Sequence, residues 1–325
     1  MKFTRQNFLH LAAAAVALPA VSRSVWAQTY PSRPVRVIVG FAPGGAPDIV
    51  ARLLGPTLSQ NLGQSFFVEN RTGAGSNIAT EAVVNAPPDG YTLLLVSPPN
   101  FVNATLYERL NYNFLRDIVP VAALVRVPNV MEVHPSVPAK TVPEFVAYAK
   151  ANPDKLNMAS GGNGTSVHMA GELFKMMTGV RMPHVPYRGV GAAYPDLLAG
   201  QVQVMFDSTP GSIEFIRSGR LRALGVAALT RSPALPDLPT IGEFVPGYES
   251  SALHGVGAPR NTLVEIIDKL NQAFNTALDE PAIKARLADM GATVLAGSPA
   301  DFGRLMADET EKWAKVVKFS GAKPE

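Results

Sequence analysis

The chain has 325 residues, 47% of them hydrophobic, with 29 basic and 26 acidic side chains, a net charge of +3 and no cysteine. Without cysteine there are no disulfides, thiolate metal sites or cysteine nucleophile, nor the lipidated cysteine that tethers many exported bacterial proteins. The excess positive charge belongs to Lys2, Arg5 and Arg23 near the N-terminus, so nothing in the charge balance calls for a nucleic-acid partner.

In chain order, the first element is an export signal: Lys2 and Arg5, an apolar run over residues 8–21, and Val25-Trp26-Ala27 before a cleavage site after Ala27. The run is too short and alanine-rich to anchor a membrane. A single arginine in this region favours the general export route over the twin-arginine one. Exported without a tether, the protein is expected in the periplasm. The remainder exceeds the size at which one core divides, so two domains are expected.

From there the pattern alternates strand and helix. A buried strand over 35–41 runs into Phe41-Ala-Pro-Gly-Gly-Ala-Pro-Asp48, and a helix is predicted over 48–62. A strand over 66–69, a helix over 76–85 and a strand over 91–96 follow, the last ending in Ser97-Pro-Pro-Asn100. Thr141 caps a helix over 143–152. A strand over 156–159 leads to a second glycine-rich turn, Ala159-Ser-Gly-Gly-Asn-Gly-Thr-Ser166, and a helix over 167–178. Then come a strand over 184–187, a helix beginning near Gly191, a strand over 202–206 with Asp207 at its end, and a strand over 222–227. The C-terminal part reads as three helices over 263–278, 281–290 and 299–319.

Repeated strand–helix units imply mainly parallel sheets, in which ligands gather at the carboxyl ends of the strands. Both glycine turns, Ser97, Tyr187 and Asp207 sit at that edge. A helix N-terminus flanked by residues too small to block it presents free amides to an anion. Two such turns, one in each half, predict a clamp on a small anionic molecule. The candidate residues are Phe41, Gly44, Gly45 and Asp48 at the first turn, and Ser160, Asn163, Gly164, Thr165, Ser166 and His168 at the second. Ser97, Tyr187 and Asp207 complete the set.

Several have equally ordinary readings. Asp48 suits the first turn of a helix and an ion pair with Arg52, or else accepts from a ligand hydroxyl or ammonium. His168 suits packing as well as donation. Asp207 suits a cap for the following turn. The small polar residues at 160–166 exceed what one cap needs.

No nucleophile elbow, zinc-protease helix or phosphate loop is present, and the five histidines lack metal-ligand spacing. No cofactor, metal or catalytic residue is therefore expected. The rival class is a periplasmic hydrolase or lyase using Asp48, His168 or Asp207.

The markers Phe41 to Arg52, Val68-Glu-Asn-Arg-Thr-Gly-Ala-Gly75, Pro88-Asp-Gly-Tyr-Thr-Leu93, Gly162-Asn-Gly-Thr-Ser166, Val185-Pro-Tyr-Arg-Gly189 and Leu235-Pro-Asp-Leu-Pro-Thr240 occur in order along the chain. With them the chain resembles the solute-binding proteins of the tripartite tricarboxylate transporter group, the Bug family. The resemblance implies an α/β two-lobe periplasmic-binding-protein fold of the Venus flytrap, type II-like kind. It places lobe 1 at 28–124 and 229–325, with lobe 2 inserted at 125–228 and crossing strands near 122–127 and 224–228. It further implies a small organic acid as ligand, held between the glycine turns, and membrane permease subunits as partners of a monomer. The chain departs from the family at Pro47, where Thr or Ser is frequent, losing one hydroxyl and one N–H. It also departs near Leu253, where many members carry Trp, and near Asn261-Thr-Leu263, where many carry Gly-Thr-Pro.

Overall fold

The computed structural model describes residues 30–324, so the expected export signal and its cleavage after Ala27 lie outside the described residues. The first block runs β1 (Val35–Val39), α1 (Ala46–Leu62), β2 (Phe66–Asn70), α2 (Asn77–Val84), β3 (Thr92–Val96) and α3 (Pro98–Leu106). All but one residue of β1 is buried, as expected of a strand covered on both faces. α1 buries Val50, Ala51, Leu54 and Leu58 at helical spacing against that sheet.

A short helix α4 (Phe114–Asp117) leads into β4 (Ile118–Val133), 16 residues long. The second block runs α5 (Val142–Ala151), β5 (Met158–Ser160), α6 (Ser166–Thr178), β6 (His184–Pro186), α7 (Val190–Leu198), β7 (Val204–Ser208), α8 (Thr209–Arg217) and β8 (Arg222–Val226). The chain then returns through β9 (Ser251–Pro259), α9 (Val264–Asp279), α10 (Pro281–Asp289), β10 (Thr293–Val294) and α11 (Pro299–Ser320).

Strand order is β2-β1-β3-β9-β4-β7-β5-β6, with β8 and β10 also on β4. β4 belongs to two sheets. Residues Ile118 to Pro128 pair with β9, and Asn129 to Val133 pair with β7 and β8. The switch falls at Pro128, a residue with no N–H to contribute to a ladder and therefore suited to the point where one ladder stops. The expected parallel pairing holds for β1 with β2 and β3, and for β5 with β6 and β7. Pairs made by β4, together with β3–β9, are antiparallel, so each sheet is mixed. β4 and β9 carry the chain between sheets instead of following a crossover helix, so no βαβ unit forces them parallel.

β9 was not among the expected strands. Its glycines weaken a strand signal, yet close approach requires them. A Cβ on Gly255 would lie 2.1 Å from the Phe302 ring, and one on Gly257 would lie 2.4 Å from Ile118. The segment from Ile241 to Tyr248 packs with Phe145, Phe174 and Phe206, and the Tyr248 hydroxyl donates to the Ala170 carbonyl at 2.9 Å. It thus joins the second sheet, beyond the expected lobe 2 end at 228. α11 packs on α3, β4 and α6 together, burying Phe302, Met306, Trp313, Val316 and Val317.

Candidate functional site

A cavity of about 640 Å³ opens between the two sheets. Its floor is β4 with its neighbours β9 and β7, through Val127, Ala252, His254 and Asp207; one wall carries Phe41, Gly44, Gly45 and Ser97, the other Thr165 and Ser166. Five helices begin at its edge: α1, α3, α6, α7 and α8. None of the lining residues is Lys or Arg, so the positive potential that favours an anion comes from helix ends.

The two glycine turns share one construction. In the first, Gly44 at φ +90° precedes the cap Gly45, and the Gly44 N–H donates to the Asp48 carboxylate at 2.9 Å. In the second, Gly164 at φ +75° precedes the cap Thr165, and the Gly164 N–H donates to His168 Nδ1 at 3.1 Å. Asp48 and His168 therefore hold equivalent places, three residues past the cap, and each locks its own turn. Both are 2% exposed and neither lines the cavity. Arg52 and Asn70 also bind Asp48. Burial works against the Asp48 charge, but Arg52, Asn70 and the Gly44 N–H outweigh it and hold the carboxyl below its usual range. His168 accepts at Nδ1, so its Nε2 carries the proton and faces Glu172 at 3.5 Å.

The donors left over are specific. Pro47, Pro98, Pro99 and Pro210 have no N–H, and the Gly44 amide is spent on Asp48. Among the described residues, the amides of Gly45 and Ala46 on α1, Ser166 and Val167 on α6, and Val190 and Gly191 on α7 have no protein acceptor. The Thr165 hydroxyl is engaged, donating to the Gly162 carbonyl at 2.8 Å while accepting from the His168 amide.

Other predicted residues lie behind the wall. Ser160 bonds His184 Nε2 at 2.6 Å, and the His184 ring stacks on His168 at 3.8 Å. Burial, then the neighbouring His168, lowers the His184 pKa to about 3, so the His184 ring stays neutral. Asn163 donates to the Lys323 carbonyl, and the Tyr187 hydroxyl donates to Asp196 at 2.6 Å. A Cβ on Gly164 would meet Leu106 of α3 at 2.7 Å, so this glycine is a contact between the two sides. Ser97 lines the cavity, but Asn100 accepts from its amide and hydroxyl. Phe41, Gly44, Gly45, Ser97, Thr165, Ser166 and Asp207 are thus brought together; Asp48, Ser160, Asn163, Gly164, His168 and Tyr187 support them from outside.

Two buried groups, one at the floor and one beside it, were missed in the sequence. His254 is 2% exposed and neither ring nitrogen has a hydrogen-bond partner among the described residues. A histidine within the small-residue run Ser-Ala-Leu-His-Gly-Val-Gly was its only signal. Glu132 is fully buried, on β4 beside Asp207 of β7, and among the described residues neither carboxyl oxygen has a hydrogen bond of normal geometry. Burial, then the Asp207 charge, pushes its carboxyl well above the usual range.

Two mixed sheets joined by a shared strand, around a cavity ringed by helix N-termini, define a solute-binding protein of the periplasmic type. The profile of a family described as "Tripartite tricarboxylate transporter family receptor" matches residues 50–321. The chain is 39% identical over 311 residues to Protein BugT of Bordetella pertussis, covering 95% of each chain. Among solved structures, R. palustris Rpa4515 with adipate shares 38% identity at a TM-score of 0.82, over 91% of this chain and 100% of that one. MatC from Rhodopseudomonas palustris with bound malate shares 35% identity at a TM-score of 0.78, over 89% and 100%. The chain belongs to the tripartite tricarboxylate transporter receptor family.

Proposed function

We propose that this protein is a periplasmic receptor that captures a small organic carboxylate and presents it to the membrane subunits of a tripartite transporter, without turning it over. The observation that carries the reading is the set of unspent amides on α1, α6 and α7, facing one cavity whose lining has no Lys or Arg. A carboxylate bridging Gly45 and Ala46 on one side and Ser166 and Val167 on the other satisfies donors from both walls. Phe41 packs on the carbon skeleton. The two sheets act as lobes that hinge where β4 passes Pro128 to Asn129 and where the chain returns at Ser250 and Ser251. Carboxylate-bound relatives, one with adipate and one with malate, support this ligand class.

The test is thermal unfolding of protein refolded to strip carried-over ligand, screened against mono-, di- and tricarboxylates, aromatic acids and amino acids. Ligand at 100 times its Kd adds about 2.7 kcal/mol, a shift of about 4–5 °C at this size. Ser166→Pro removes one amide at a helix position that tolerates proline, after a Thr165 already extended at φ −68° and ψ 159°. It should keep the fold and cost at least tenfold in affinity. No shift with any acid, from a well-folded protein, rejects the reading; so does conversion of the bound acid to product.

A further inference from the structure

The cavity floor differs in chemistry from its mouth. The unspent amides are donors that suit a carboxylate, whereas the buried polar groups at the floor are acceptors. His254 and Ala252 point to the same face of β9 because they are two residues apart, and both line the cavity. Burial lowers the His254 pKa to about 4, opposed only by the nearby Val96 carbonyl, so the ring is neutral. That carbonyl draws the ring N–H without a hydrogen bond of normal geometry, which leaves the other nitrogen as an acceptor.

Asp207 lies at the end of β7, lines the cavity and is 2% exposed. The Tyr194 hydroxyl donates to its Oδ2 at 2.7 Å. Ser208 supplies further donors. Glu132 sits diagonally across the β4–β7 ladder on the same face, since Asp207 pairs with Val130 and Met205 with Glu132. Two carboxyls so close do not both ionise. Burial raises both carboxyls, Glu132 well above its ordinary value, while Tyr194 and Ser208 oppose the rise at Asp207, so the shared proton rests on Glu132 and the negative charge on Asp207. With no Lys or Arg in the lining, a second ligand carboxylate at the floor would meet that charge without a counterion.

Resting on the carboxylate reading above, we infer that His254 and Asp207 select acids whose far end carries a hydrogen-bond donor, a hydroxyl or an ammonium, over dicarboxylates. Between the two ends, Phe41, Pro43, Pro47, Val127 and Val190 offer apolar walls for the ligand body.

Titration calorimetry on refolded protein with two matched series tests this. One series is hexanoate, 6-hydroxyhexanoate, 6-aminohexanoate and adipate; the other is benzoate, 4-hydroxybenzoate, 4-(aminomethyl)benzoate and terephthalate. In at least one series a donor-bearing acid should bind tenfold or more tighter than both the diacid and the unsubstituted acid. The hydroxyl and ammonium arms tell which donor the floor prefers. A diacid that binds as tightly as its donor-bearing partner overturns the inference. So does equal binding by donor-bearing and unsubstituted acids, although the carboxylate reading then stands. If no acid binds here or in the wider screen, the carboxylate reading fails and this inference falls with it. In Asp207→Asn and in His254→Phe the donor advantage over the diacid should shrink below threefold. Its persistence in both folded variants rejects these two residues as the selectors. The ligand series decides the matter even if one variant fails to fold.

Discussion

Asp48 and His168 look alike as ligand candidates only while the chain is read as a line. In the fold each is spent on the amide of the glycine four residues before it. Glu132 is the reverse case, a fully buried acid whose oxygens make no hydrogen bond of normal geometry among the described residues. Above the ordinary glutamate value of 4.5 the unfolded chain gives up this proton while the folded protein keeps it. Stability therefore falls as pH rises from there towards the folded pKa, by at most about 1.4 kcal/mol per pH unit. Glu132→Gln removes this loss, so its melting temperature relative to the wild type should climb between pH 5 and pH 8. A pH-independent difference would mean that the folded Glu132 is charged. His184 and His254 act on the acid side. Below 6.5 the unfolded chain protonates them while the fold, with values of about 3 and about 4, does not, so stability also falls with acid.

At the scale of elements, the strand-turn-helix unit was legible because its signals are local. Glycine, small residues and an apolar strand before an amphipathic helix are visible in any ten-residue window. The turns are nevertheless not equally tolerant. Gly44 at φ +90° has nothing within 4 Å of its Cβ position, whereas Gly164 at φ +75° faces Leu106 at 2.7 Å. Alanine at either site is strained, by about 1–3 kcal/mol. Gly164→Ala should lose about 1–3 kcal/mol more through overpacking against α3. Urea unfolding of both variants checks this, and equal losses would show that the Leu106 contact is easily relieved. β9 was illegible for a related reason. Gly255 and Gly257 answer to Phe302 and Ile118, which lie far along the chain.

For the molecule as a whole, α11 is the element that joins the two sides. It packs on α3 beside the first sheet and on α6 beside the second, and the Trp313 indole N–H donates to Glu309 at 2.7 Å. The core that contains Trp313 also contains Leu94 and Phe101 of the first block and Phe145 and Phe174 of the second. Trp313→Ala should cost about 3–5 kcal/mol. Calorimetry should then resolve two transitions where the wild type shows one, as each sheet unfolds separately. A single transition at lower temperature would place the coupling in β4 and β9 alone.

The sequence by itself determined the alternation of strands and helices, the two glycine turns at the carboxyl edge, and the family, because each is written in short-range pattern or ordered motifs. The tertiary structure decided which polar groups remain free. Hydrogen-bond satisfaction depends on neighbours brought from elsewhere: Asn70 on Asp48, Lys323 on Asn163, Tyr194 on Asp207. The same long-range packing buries His254 at the cavity floor with no hydrogen-bond partner among the described residues.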